Sequence, residues 1–148
     1  MSTLTENRRA RFDYDVLETI EAGIVLTGQE VKSTKLGRMS LTGAFGTVHD
    51  NAVWLTGASI PPYQPKNAPA NYDPERSRKL LLNRSEINRL VGKMKERGLT
   101  LVPLKVYTAH GRIKVELGLG RGKKTHDKRE TMKRREARRE IDRTLKNG

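Results

Sequence analysis

The chain has 148 residues, with 30 Lys+Arg against 17 Asp+Glu, a formal net charge of +13 and no cysteine. That length supports one folded domain with an extension, the charge asks for a polyanionic partner, and the missing cysteine excludes disulfides, thiolate metal ligands and a cysteine nucleophile. A membrane is the competing surface, but no run nears about 18 apolar residues, the opening MSTLTENRRARF holds no apolar signal core and no lipidation motif occurs, so a cytoplasmic protein without membrane contact is expected.

In chain order, residues 14–20 and 23–26 read as extended, with Gly23 marking a bend or bulge. The segment GQEVKSTKLG, residues 28–37, is bracketed by glycines and suits a short helix. Residues 40–49 and 52–59 are β-rich runs separated by Asp50-Asn51, a dipeptide that tolerates positive φ and favours a tight hairpin. Five of the six prolines fall in residues 61–74, which predicts a long irregular surface loop. Residues 78–82 suit a short buried strand, and Asn83 followed by Glu86 reads as a capping box. Ile87, Leu90, Val91 and Met94 then form one apolar stripe before Gly98 stops the helix. Residues 99–108 and 112–117 predict a second hairpin around His110-Gly111. Two hairpins, one well-capped helix and no βαβ alternation predict a mainly β fold over residues 1–119, an OB-like small antiparallel barrel with short helices.

Charge is spread unevenly, since residues 120–148 hold 12 Lys+Arg against 5 Asp+Glu while residues 1–119 hold 18 against 12. A stretch so basic and so poor in apolar residues cannot offset its ordering entropy by packing on itself. Ala137, Ile141 and Leu145 make only a thin apolar line, so residues 120–148 are predicted to be a flexible basic tail, disordered alone and helical on a polyanionic partner such as nucleic acid.

Catalytic motifs are weak. GLGRGKKT, residues 118–125, misses the spacing of a phosphate-binding P-loop, because Leu117 stands where the first glycine belongs and Lys124 where Ser or Thr belongs. It reads better as a basic hinge whose glycines keep side chains off a backbone that approaches phosphate. Asp13 and Asp15, two apart on an expected strand, would serve a metal-dependent nuclease only with further ligands at a suitable spacing, which are missing from the sequence nearby. His49 and His110 fall at expected turns, while His126 lies in GKKTHDKR, where a ring can stack on a base or donate to phosphate. No catalytic residue, metal site or cofactor is assigned. Phe45, Trp54 and Tyr107 read as core, and Tyr63 and Tyr72 as the exposed rings. Basic clusters at Arg8-Arg9-Arg11 and at Arg76, Arg78 and Lys79 are candidates for phosphate contact.

Several blocks in order resemble the small protein B family, the SsrA-binding proteins that partner bacterial transfer-messenger RNA: ENRRARFDY, EAGIVLTGQEVKS, DPERSRKLLLN, GLTLVPLKVY and GRGKKTHDKRE. The resemblance implies an OB-like domain that binds the tRNA-like part of that RNA and a tail that enters the empty messenger channel of a stalled ribosome near the small-subunit decoding region. Rescue would follow by trans-translation, with elongation factor Tu an indirect partner through the RNA. By position, Glu21, Leu81 and Lys114 match family residues tied to that RNA, and Gly122, Lys123, Lys124, His126, Asp127, Lys128 and Arg129 match the segment that contacts the ribosome. Resemblance and basic clusters together give the expected RNA-binding set Asn7, Arg8, Arg9, Glu21, Lys32, Arg76, Arg78, Lys79, Leu81 and Lys114. The family commonly has Leu or Ile with Arg where this chain has Thr34 and Lys35, and an apolar pair where it has Thr144 and Leu145. The alternative is a ribosomal or general structured-RNA-binding protein.

Overall fold

Two dipeptides that accept positive φ set the register of the sheet. The computed structural model describes residues 2–147, apart from the side chains of residues 125–127, 130, 131, 142 and 144–147. In it Asp50 and Asn51 have φ of 51° and 57°, and His110 and Gly111 have 53° and 72°. The first pair joins β3 (Phe45–His49) to β4 (Ala52–Thr56), and the second joins β6 (Thr100–Ala109) to β7 (Arg112–Gly122). With β1 (Ser2–Glu6), β2 (Tyr14–Ile24) and β5 (Arg78–Leu81) they make one seven-stranded sheet in which every pairing is antiparallel. Pairings that leave β6 through β3, β4, β5 and β2 return to it through β7, while β1 lies against β6 alone. Among the described residues four α-helices are attached: α1 (Ala10–Asp13), α2 (Gly28–Lys35), α3 (Arg84–Arg97) and α4 (Thr125–Asn147). The proline-rich loop between β4 and β5 is irregular apart from one 3₁₀ turn, Pro65–Asn67.

Alternation along the strands puts Val53, Leu55, Leu80, Leu101, Val106, Val115, Leu117 and Leu119 in one core. Helix α3 adds Leu90, with Ile87 and Met94 packed beside it, its start closed by the Asn83–Glu86 capping box and its end by Gly98 at φ 63°. Lys93 and Arg89 on this helix both donate to Glu18 of β2 and hold its carboxyl below the usual range, Lys93 at 2.6 Å. A smaller cluster of Ala10, Val102 and Leu104 seats α1 on the opposite side of β6.

Helix α2 is fixed differently. Thr27 caps it reciprocally with Glu30, the T-x-x-E pattern of a capping box, and Glu30 is itself buried. Its carboxylate accepts from the fully buried Arg78 at 2.8 Å and from Arg76, and Arg78 also donates to the carbonyls of Ala58 and Pro74, each at 2.9 Å. One buried ion cluster therefore ties α2, β5 and both ends of the proline loop together. Beside it, the buried hydroxyls of Ser33 and Thr34 have no hydrogen-bond partner among the described residues. An unpaired buried hydroxyl costs more than an isosteric methyl, so Thr34→Val is expected to raise stability by about 1 kcal/mol, read as a higher urea midpoint at unchanged slope.

Several expectations are corrected. The bulge in β2 lies at Leu17, between Val16 and Glu18, and Gly23 is instead a close-approach site, where a Cβ would stand 3.2 Å from the Leu81 Cβ. The last strand runs three residues past position 119, so GLGRG is strand and not hinge. A Cβ on Gly120 would meet the Asp15 carbonyl oxygen at 2.2 Å, which makes that glycine a requirement of packing against β2 and not of phosphate approach. Phe45, read as core, is 41% exposed, because Gly46 and not Phe45 faces Leu101 at that edge of β3.

Candidate nucleic-acid interface

The sheet register carries widely separated residues onto one outer face. Leu81 of β5 stands opposite Gly23 of β2, Gly23 opposite Lys114 of β7, and Lys114 opposite Tyr107 of β6. The neighbouring row runs Glu21, Glu116, Lys105 and Glu6. Residues two apart on a strand share a face, so Glu21, Leu81 and Lys114 lie together, and Lys79 extends the same face opposite Trp54.

Because Gly23 has no side chain, Leu81 lies across it, and Leu81 is 52% exposed. A cleft of about 400 Å³ opens beside it, lined by the cations Lys35, Arg112 and Lys114 and by apolar Ile24, Leu26 and Ile113. Cations around an apolar floor suit a folded RNA, whose phosphates meet the charges while riboses and base edges meet the hydrocarbon. Across to the neighbouring row, the Tyr107 hydroxyl donates to the Glu21 carboxylate, and the Lys105 ammonium stands 5.4 Å from the Tyr107 ring centre. Burial, and then the bond to Glu21, push the Tyr107 hydroxyl well above its ordinary range, so it stays a donor throughout the working pH. One oxygen of Glu21 is thereby oriented, and the exposed carboxylate keeps capacity to accept from a base amino group or a 2′-hydroxyl.

Other expected residues fall elsewhere. Arg78 has no exposed surface and is spent on Glu30, Ala58 and Pro74, so it is a structural cation and not an RNA contact. Arg76 is half-buried on the same carboxylate. Asn7 is a tether, its side-chain amide donating to the Pro103 carbonyl at 3.0 Å and to that of Leu41 at 3.4 Å. Lys32 is exposed on α2 over the Tyr63 ring, and Arg8 and Arg9 precede α1, with Arg9 3.5 Å from Asp13. Asp13 belongs to α1 and Asp15 to β2, so they do not share a strand, and Asp13 is also 3.3 Å from Lys128. Among the described residues no group of three or more His, Asp or Glu side chains is placed to hold a metal ion.

At the tail, Gly122 pairs with Tyr14, the Lys123 amide donates to the Asp13 carbonyl at 2.8 Å, and Lys124 and Arg129 are exposed. The side chains of His126, Asp127, Thr144 and Leu145 lie outside the described residues. Sequence reasoning missed Tyr107 as a partner of Glu21, and Lys35 and Arg112 as walls of the cleft. The signal was available in the two-residue turn, since His110-Gly111 fixes Arg112 and Lys114 opposite Ala109 and Tyr107.

Comparison with known proteins places this geometry among relatives. The chain is 53% identical over 146 residues to the SsrA-binding protein of Synechococcus elongatus, covering 99% of this chain and 95% of that one. It is 57% identical over 143 residues to the SsrA-binding protein of Chloroflexus aurantiacus, covering 97% and 89%. A solved chain described as "tmRNA-SmpB: a journey to the center of the bacterial ribosome" is 51% identical and superimposes with a TM-score of 0.68 over 86% of this chain and 93% of its own. The family model described as SmpB protein matches residues 4–147, and the chain therefore belongs to the SmpB protein family.

Proposed function

We propose that this protein is an RNA-binding adaptor that grips the tRNA-like domain of transfer-messenger RNA and delivers it to stalled ribosomes for trans-translation. The observation that carries the reading is the register that sets Glu21, Leu81 and Lys114 on one face beside a basic cleft. The names of its relatives, SsrA-binding protein and tmRNA-SmpB, point the same way. A rigid face of this kind reads a folded RNA by shape, 2′-hydroxyls and phosphates, and needs no long base readout. The closed circuit of strand pairings supports the OB-like barrel, whose use in nucleic-acid recognition fits this role.

In this reading the tail that follows β7 works separately. It gains its order on the ribosome, where Gly122, at the end of the strand, with Lys123, Lys124, His126, Asp127, Lys128 and Arg129 contacts the decoding region and the remaining cations follow the messenger channel, which messenger itself would block by bulk and charge. The protein makes and breaks no covalent bond, needs no cofactor, meets elongation factor Tu through the RNA and acts in the cytoplasm. No helix among the described residues is long and apolar enough to cross a membrane.

Lys114→Ala is expected to weaken binding of the tRNA-like domain about tenfold and to reduce the salt dependence by about one phosphate contact. Leu81→Ala should weaken it with no change in salt slope, because only apolar contact is lost. Filter binding at several salt concentrations separates the two. Full affinity in the double variant would remove the sheet face from the account.

A further inference from the structure

Helix α4 leaves the end of β7 and passes α1, and the two enclose a groove of about 420 Å³. Arg8 and Arg9 enter it from the body, and Arg135 and Arg139 from the tail helix. Its apolar part is Phe12 and the half-exposed Met132. The Phe12 ring already lies under two guanidiniums, Arg9 at 4.8 Å and Arg135 at 5.6 Å from its centre. Glu136 lines the groove and Asp13 stands 3.5 Å from Arg9, while no ion pair among the described residues engages Arg8, Arg135 or Arg139. Four guanidiniums against these two carboxylates leave the groove with excess positive charge, so this arrangement of α4 on α1 is stabilised by a polyanion.

The ring narrows the choice of polyanion. An acidic peptide or a free phosphate has no use for an aromatic face flanked by guanidiniums, whereas a nucleotide presents a π-surface and a phosphate together. The groove also has a neighbour: Arg8 and Arg135 line a second concavity with Arg11, Lys105 and Glu116, and Glu116 is the cross-strand partner of Glu21. A strand leaving the sheet face therefore reaches α4 across a concavity in which Arg8, Arg11, Lys105 and Arg135 outnumber the carboxylates Glu6 and Glu116. We propose that the α1–α4 groove is a second ribonucleotide site, half body and half tail helix, taking a single-stranded stretch of RNA with its phosphates on Arg8, Arg9, Arg135 and Arg139 and one base on Phe12. The site lies beyond the folded-RNA reading and rests on it only for the class of ligand. A strand bound there bridges α1 and α4, so occupancy of the groove sets the direction in which the tail leaves the body.

Met132 and the buried Met39 make the test self-controlled. The full-length chain is exposed to dilute hydrogen peroxide with and without pentauridylate, and each methionine sulfoxide is followed by mass spectrometry. Pentauridylate should protect Met132 and leave Met39 at its own slow rate. By fluorescence anisotropy, Arg135→Gln with Arg139→Gln should weaken pentauridylate about tenfold and lower the salt slope by about 0.7 per lost contact. Phe12→Leu should weaken it about tenfold while leaving inorganic polyphosphate binding unchanged. Unaltered oxidation of Met132, or equal protection by poly-L-glutamate, would overturn the proposal. Lys114→Ala separates the two readings: it should weaken the folded RNA and leave pentauridylate protection intact, and loss of that protection would assign the strand to the sheet face instead.

Discussion

Glu30→Ala is expected to cost about 3–5 kcal/mol, a large share of the roughly 5–15 kcal/mol that holds a domain together. The substitution strands the fully buried Arg78 guanidinium and half-buried Arg76 without a counter-charge, and it also removes half of the α2 capping box. Because α2, β5 and the proline loop meet on that carboxylate, the loss spreads to the edge that supports Leu81 and the cleft. Urea denaturation measures the stability change. Replacing both members, Glu30→Leu with Arg78→Met, should recover most of it, since a buried pair is expensive to break and cheap to exchange for hydrocarbon. Acid gives a second readout. Burial raises the Glu30 carboxyl, but hydrogen bonds from Arg76, the Thr27 amide and Arg78 outweigh it and hold the group below its ordinary 4.5. With the folded value below the unfolded one, the cluster contributes fully above about pH 4.5 and its contribution falls as pH drops through the folded value. Glu30→Ala should lose that part of the acid sensitivity, and an unchanged acid profile would show that the cluster is not what acid removes.

Removing residues 123–148 is expected to abolish tagging of stalled chains while changing affinity for the tRNA-like domain by less than about threefold. Among the contacts of residues 123–148 with the body are the Lys123 amide and Lys128 on Asp13, and Arg135 over Phe12. None of them reaches the face that carries Glu21, Leu81 and Lys114, so truncation leaves that face whole. An in vitro translation reaction stalled on a truncated message reads tagging directly, and filter binding reads the RNA. Tagging that survives truncation would remove the tail from the mechanism, and binding that collapses would place it in the primary RNA site.

Much of the fold was legible because short-range chemistry dictates it. Asp50-Asn51 and His110-Gly111 announce their turns, Asn83 and Glu86 their cap, and the Ile87–Met94 stripe its helix, since each depends on residues within one or two turns of chain. The family blocks led directly to Glu21, Leu81 and Lys114, and the register sets them on one face. What was not legible depends on pairing across long separations. Arg78 looked like any cation of a basic run until β5 placed it against Glu30, 48 positions away, and Tyr107, buried as expected, gave no sign of its partner until the register set its hydroxyl on Glu21, 86 positions away. The glycines of residues 118–122 read as a hinge because the Asp15 carbonyl that crowds Gly120 is equally remote in sequence. Local pattern names the element, and only the pairing says which side of it meets water.

The central claim is that the face built from Glu21, Leu81 and Lys114 recognises one folded RNA and not RNA in general. Competition for the labelled tRNA-like domain of transfer-messenger RNA, at physiological salt and with the tail removed, tests it most directly. Unlabelled domain should displace the label at stoichiometric excess while a large excess of ordinary transfer RNA leaves it bound. Equal displacement by both would contradict the account and make the protein a general binder of structured RNA.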